Sequence, residues 1–144
     1  MKKQKLLEFF KQVDKDFPVP LSKKQDLDKF ADKLLEKATI LTREENGEIL
    51  SLVAGYTENI ENNSAYISIL ATLEKARGCG YGKSLIEEFI SLCREKETDS
   101  VHLYAVKENL PAVMLYRRLG FVEYKMENEP RPMDLHLIYY IKEN

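Results

Sequence analysis

The residues best placed to do chemistry are Arg77-Gly78-Cys79-Gly80-Tyr81-Gly82-Lys83-Ser84, a stretch holding three of the chain's six glycines. Glycine adopts positive φ freely and lets backbone approach a ligand closely. Leu85, Ile86, Phe89, Ile90 and Cys93 recur downstream at helical spacing, which predicts a helix beginning near residues 80–83. Upstream, Ala65 to Leu73 reads as a strand. A strand, a glycine turn and a helix start bring free N–H groups and the positive end of a helix dipole to one point. That is an anion site, most naturally for phosphate.

Known phosphate loops differ in spacing. A nucleotide P-loop requires G-x-x-x-x-G-K-[ST]; Gly82-Lys83-Ser84 supplies the tail, but the first glycine falls on Arg77. A dinucleotide fingerprint requires G-x-G-x-x-G, whereas Gly78, Gly80 and Gly82 are spaced G-x-G-x-G, and no acidic residue ends a second strand at the expected distance. The pattern met in full is Q/R-x-x-G-x-G/A, over Arg77 to Gly82. A second segment, Asn109-Leu110-Pro111-Ala112-Val113-Met114-Leu115-Tyr116-Arg117-Arg118-Leu119-Gly120-Phe121, fits N-x-x-A-x-x-L-Y-x-x-x-G-F at every fixed position. In these two motifs, their order and their separation, the chain resembles the GNAT family of N-acetyltransferases over roughly residues 38–141.

The resemblance implies an α/β GNAT fold: a mixed, mostly antiparallel sheet of six to seven strands, a central splayed parallel pair, and helices on both faces. It implies one domain over 1–144, with 1–37 a helical wall beside the acceptor and 38–141 the coenzyme-binding core. It implies acetyl-CoA as co-substrate with no metal, and direct attack by a primary amine, more naturally of a small molecule than of a protein. By carry-over the coenzyme contacts are Leu70, Ala71 and Thr72 on the strand, Arg77, Gly78, Cys79, Gly80, Tyr81, Gly82 and Lys83 in the loop, then Asn109 and Tyr116. Tyr116 falls where the family places its general acid, and a phenol of ordinary pKa near ~10 is protonated at neutral pH. Two departures stand out. The position that often holds a glutamate base falls on Tyr66, and Ser51 stands where a strand glycine is common. These keep a second class of function in view, a non-catalytic coenzyme A-binding sensor.

No base is assigned. Tyrosine is a poor base, Glu74 reads as a surface carboxylate, and strand alternation alone accounts for His102 and His136; a water relay is an alternative. Cys79 is a candidate nucleophile by its place in the glycine loop, yet its family position is away from the chemistry.

The elements that must position these residues follow from periodicity and breakers. Leu6, Leu7, Phe9, Phe10 and Val13 predict a helix over 2–16, stopped by Phe17-Pro18-Val19-Pro20. Ser22 is expected to cap a second helix to about Lys37. Ala38 to Thr42 and Ile49 to Tyr56 read as strands around an Asn46-Gly47 hairpin. Ser100 to Val106 reads as a strand, followed by a helix with Asn109 as N-cap, Pro111 in its first turn and Gly120 as its stop. Phe121 to Glu127 and Asp134 to Ile141 read as the last strands.

At 144 residues the chain is expected to form one domain with a real core. A net charge of -2 gives no global basic field for nucleic acid. No run approaches the roughly 18 apolar residues of a membrane span, so no membrane association is expected. The positive start at Met1-Lys2-Lys3 is broken too early by Lys11, Asp14 and Lys15 for a signal peptide, and two cysteines suit a reduced cytoplasmic protein. A homodimer through the C-terminal strands is a common outcome in the family.

Overall fold

Leu6, Phe9, Phe10 and Val13 stand at i, i+3, i+4 and i+7, and they are the residues that helix α1 (Lys3–Val13) buries. The computed structural model describes residues 1–142. After the proline segment comes a single-turn helix, α2 (Leu21–Lys24), and then α3 (Leu27–Lys37). The expected cap is corrected here. Asp26, not Ser22, caps α3, its Oδ1 accepting from the N–H groups of Asp28 at 2.9 Å and Lys29 at 3.3 Å. Ser22 lies inside α2, and both its N–H and its hydroxyl donate to the Asp14 carboxylate at 2.7 Å. The chain is extended at Gln25, which separates the two helices.

Strands β1 (Thr39–Glu45) and β2 (Glu48–Tyr56) form the expected hairpin, with Asn46 and Gly47 at φ 50° and 78° in its two-residue turn. Strand β3 (Ser64–Thr72), helix α4 (Tyr81–Glu95), strand β4 (Ser100–Ala105), helix α5 (Leu110–Leu119) and strands β5 (Val122–Glu123) and β6 (Leu135–Tyr140) follow. Among the described residues six strands lie in the order β1-β2-β3-β4-β6-β5, and only β3 and β4 are parallel. Helices cover both faces: α1 and α3 pack on one, α4 and α5 on the other.

The strand expected over 121–127 shrinks to two residues. Phe121 still belongs to the helix stop, its N–H donating to the Tyr116 carbonyl at 3.0 Å beside Gly120 at φ 108°. Beyond Tyr124, the Met126 N–H turns to the Glu129 carboxylate at 3.2 Å instead of a neighbouring strand.

One irregularity sets the geometry of β3. Ala54 pairs with Ile69 but Gly55 pairs with Ile67, so Ser68 is an extra residue bulging from the ladder. The bulge switches the face that β3 buries. Ala65 and Ile67 pack with α4, whereas Ile69 and Ala71 pack with α1 and α3. Gly55 opposite is required by crowding: a Cβ there would lie 2.6 Å from Phe89 Cζ on α4 and 2.6 Å from the Tyr66 carbonyl. Among the described residues, no helix is long and apolar enough to cross a membrane.

Candidate active site

The parallel ladder between β3 and β4 lasts three rungs: Ser64 with Ser100, Ala65 with Val101, and Tyr66 with His102. Beyond Tyr66 and His102 the strands separate, and β3 continues to Thr72 with its β4 side unpaired. The Leu73 N–H donates to Leu50 on β2 at 2.8 Å. Strand alternation therefore turns the backbone of Ala71 towards β2 and that of Leu70 and Thr72 into the gap. Ser51, fully buried on β2, supports this edge through its hydroxyl, which donates to the Ala71 carbonyl at 3.2 Å and lies 2.7 Å from Thr72 Oγ1.

The glycine loop stands at one end of the gap. Gly78 and Gly80 hold φ of 85° and 79°, and nothing lies within 4 Å of a Cβ built on either. Gly80 precedes α4 without a side-chain cap, and the first turn carries no acidic residue. The first in-helix bond comes from the Ser84 N–H to the Gly80 carbonyl, so the N–H groups of Tyr81, Gly82 and Lys83 have no partner within the helix. The Arg77 guanidinium is turned to Asp16 at 3.0 Å, tying the loop to the segment after α1.

A cavity of about 560 Å³ gathers most of the residues expected from the sequence: Leu70, Ala71, Thr72, Arg77, Gly78, Gly80, Tyr81, Gly82, Lys83 and Asn109. Pro111, Ala112 and Leu115 of α5 and Val13, Asp16 and Phe17 near α1 complete its wall. Asn109 sits at the N-cap position of α5, but its side chain makes no capping bond there and is free to face a ligand. Cys79 lies elsewhere, exposed in a neighbouring hollow with Glu45, Glu48 and Lys75. The other thiol, Cys93, is buried, which pushes its pKa up to about 11 and leaves it inert.

Tyr116 opens instead on a narrower cleft of about 110 Å³ between Ile67 to Leu70 of β3 and Leu103 to Val106 in and just past β4. Phe17, Leu70, Asn109 and Ala112 line both spaces, so the cleft and the cavity adjoin across the gap. Tyr116 is 7 % exposed and packs on Phe121, and burial raises its phenol well above the ordinary range. Among the described residues no buried side-chain nitrogen or oxygen lacks a partner, the Tyr116 hydroxyl bonds to none of them, and Tyr116 lines the cleft.

Sequence reasoning missed a polar chain on the opposite sheet face. His102 Nδ1 lies 2.8 Å from His136 Nε2, and His136 Nδ1 lies 3.1 Å from Glu129 Oε2. Tyr104, paired with His136 across β4 and β6, donates its hydroxyl to the other Glu129 oxygen. Burial, then the neighbouring His136, lowers the His102 pKa to about 4. Burial opposes the charge of Glu129, but bonds from Tyr104, His136 and the Met126 N–H hold its pKa below the usual range. Tyr66, at the expected base position, has its phenol pKa raised by burial and is a still poorer base. Alternation on β4 and β6 was legible; the register that joins the two histidines, and the loop carboxylate, were not.

A mixed sheet whose one parallel pair splays beside a glycine loop defines an acetyltransferase type of fold. The family model described as "Acetyltransferase (GNAT) family" matches residues 6–121, and the chain belongs to that family. A GNAT-family acetyltransferase of Staphylococcus aureus Mu50 superposes with a TM-score of 0.78 at 19 % identity, over 97 % of this chain and 93 % of that one. A PaiA N-acetyltransferase of Thermoplasma acidophilum, in complex with coenzyme A, gives a TM-score of 0.78 at 14 % identity, over 96 % and 92 %. A mycothiol acetyltransferase of Arthrobacter sp. strain FB24 is 38 % identical over 58 residues, 40 % of this chain and 18 % of that protein. The chain thus spans about a fifth of the curated relatives it matches.

Proposed function

We propose that the chain binds acetyl-CoA along the splayed gap and transfers the acetyl group to a primary amine, without a covalent enzyme intermediate. The observation that carries this reading is the free β3 edge, which runs from the glycine loop at one end to the Tyr116 hydroxyl at the other. The fit is chemical as well as geometric. The uncapped first turn of α4, without an acidic residue, suits a pyrophosphate, and the gap-facing backbone of Leu70 and Thr72 suits an amide-bearing arm added as a further strand.

When bound, acetyl-CoA supplies a thioester carbonyl and a thiolate leaving group. The chain's own groups do the rest. A backbone N–H at Leu70 or Thr72 stabilises the oxyanion that develops on the carbonyl. Tyr116 stays protonated at neutral pH and donates to the departing sulfur. A thiol of pKa near ~8.5 is a stronger acid than this phenol, so the donation acts as a hydrogen bond strengthening towards the transition state. The region 1–37 contributes Phe17, Pro18, Leu21 and Lys24 to the cleft, in keeping with a wall on the acceptor side.

Thermal melting with acetyl-CoA, coenzyme A and ATP, each with and without magnesium, tests the cofactor. Ligand at about a hundred times Kd contributes roughly 2.7 kcal/mol, a shift of several degrees. Both coenzyme forms are expected to shift the melt irrespective of magnesium, and Gly80→Val is expected to abolish the shift. Stabilisation by magnesium-ATP alone overturns the reading.

A further inference from the structure

We propose that Glu129, His136 and His102 form a proton relay ending on His102 Nε2 at the closed end of the gap, and that this nitrogen takes the proton of the acceptor amine. The inference rests on the acetyltransferase reading above and adds a catalytic role to it.

Hydrogen-bond bookkeeping orders the chain. An ionised carboxylate only accepts, so the His136 nitrogen facing it, Nδ1 at 3.1 Å, carries the hydrogen. The second bond, from Tyr104, helps to keep Glu129 ionised. In a neutral imidazole the other nitrogen then accepts, so His102 Nδ1 donates to His136 Nε2 across 2.8 Å. His102 Nε2 is left with a lone pair. It makes no hydrogen bond to the described residues, among which no buried side-chain nitrogen is unpartnered, and His102 itself is only half-buried. A carboxylate that orders one imidazole, which orders another, follows the logic by which a third group orients a catalytic base.

Position supports the role. Tyr66 and His102 form the last rung before the strands part, with their rings 5.1 Å apart. His102 alternates with Val101 and Leu103, which pack in the core under α4 and α5, so it lies on the other face of the sheet from Tyr116. A base and an acid therefore flank the gap from opposite faces. The groups around His102 are Tyr66 on β3, Tyr104 on β4, His136 on β6 and, from the loop, Glu129, with Arg131 over the Tyr104 ring. With its pKa lowered to about 4, His102 is neutral at neutral pH and its Nε2 lone pair is unprotonated.

The step balances. The amine N–C bond forms as the thioester C–S bond breaks. The surplus amine proton passes to His102 Nε2, directly or through one water. The resulting imidazolium keeps its Nδ1–H on His136 and is neutralised through it by Glu129. The thiolate is met by the Tyr116 hydroxyl and protonated from solvent, to which His102 later releases its proton.

The chain has two histidines, so their four ring nitrogens can be assigned by 15N NMR with a single variant. At pH 7 both Nδ1 atoms are expected to be protonated and both Nε2 atoms bare; a His102 carrying hydrogen on Nε2 overturns the relay. Acetyl transfer is then measured on a panel of an alkylamine, a polyamine, an amino sugar, an arylethylamine and a peptide N-terminus. His102→Gln is expected to lower kcat about 100-fold or more with KM for acetyl-CoA unchanged. Glu129→Gln, which acts through positioning, is expected to lower kcat less and to move the acid limb of the pH profile. Full activity in His102→Gln sinks the relay while leaving the acetyltransferase reading intact. A wild-type chain that binds acetyl-CoA but acetylates none of the panel overturns that reading, and the relay with it.

Discussion

A buried tyrosine usually gives its hydroxyl a partner, and Tyr116 has none among the described residues. Its ring packs on Phe121, which explains a tyrosine-sized aromatic at this site but not the oxygen. Tyr116→Phe separates the two. The ring contacts survive and no hydrogen bond to a described residue is lost, so stability is expected to stay within about 0.5 kcal/mol of the parent. Coenzyme affinity should hold as well. Acetyl transfer is expected to fall about 100-fold, the low end of what a positioned acid contributes. Unchanged turnover on an amine that the parent acetylates would remove Tyr116 as the acid.

At the scale of elements, α4 joins the glycine loop to the sheet, and at Gly55 its Phe89 ring leaves no room for a Cβ. Gly55→Ala puts a methyl 2.6 Å from both the Phe89 ring and the Tyr66 carbonyl, and is expected to cost about 1–3 kcal/mol in chemical denaturation. Phe89→Leu in the same chain should recover only part of that cost, because the carbonyl contact is backbone. A Gly55→Ala protein as stable as the parent would refute the close approach. This glycine shows which parts of the fold were legible. The hairpin at Asn46-Gly47, the buried face of α1, the stop at Gly120 and the loop at Arg77 to Gly82 each depend on residues a few positions apart, and all were readable. The bulge at Ser68, the need for Gly55 and the link from His102 to His136 depend on register between strands, which local periodicity does not carry. The α3 cap failed for a related reason: Ser22 and Asp26 both suit an N-cap, and the distant Asp14 claims Ser22.

Across the whole molecule, the polar chain between β4 and β6 ties stability to pH. His102 has a folded pKa near 4 against about 6.5 when unfolded, so between these values the unfolded chain binds the extra proton. Stability is then fully present above about pH 6.5 and is lost as pH falls towards 4. Glu129, with its folded pKa below the ordinary value, acts in the same direction, but only below about pH 4.5. Asp14 and Glu44 are also lowered and act in that more acid range, where solvent screening keeps their effects small. The limb between pH 6.5 and 4.5 is where the lowered His102 pKa acts. Discounted for its partial exposure, it is worth on the order of 1–2 kcal/mol, or a few degrees in Tm. Melting followed from pH 7.5 to 4.5 is expected to show this decline in the parent and a nearly flat profile in His102→Gln, with both converging on the steeper loss below pH 4.5. A parent flat over that interval, or a His102→Gln protein that keeps the limb, would mean that the half-buried His102 imidazole does not set the acid response.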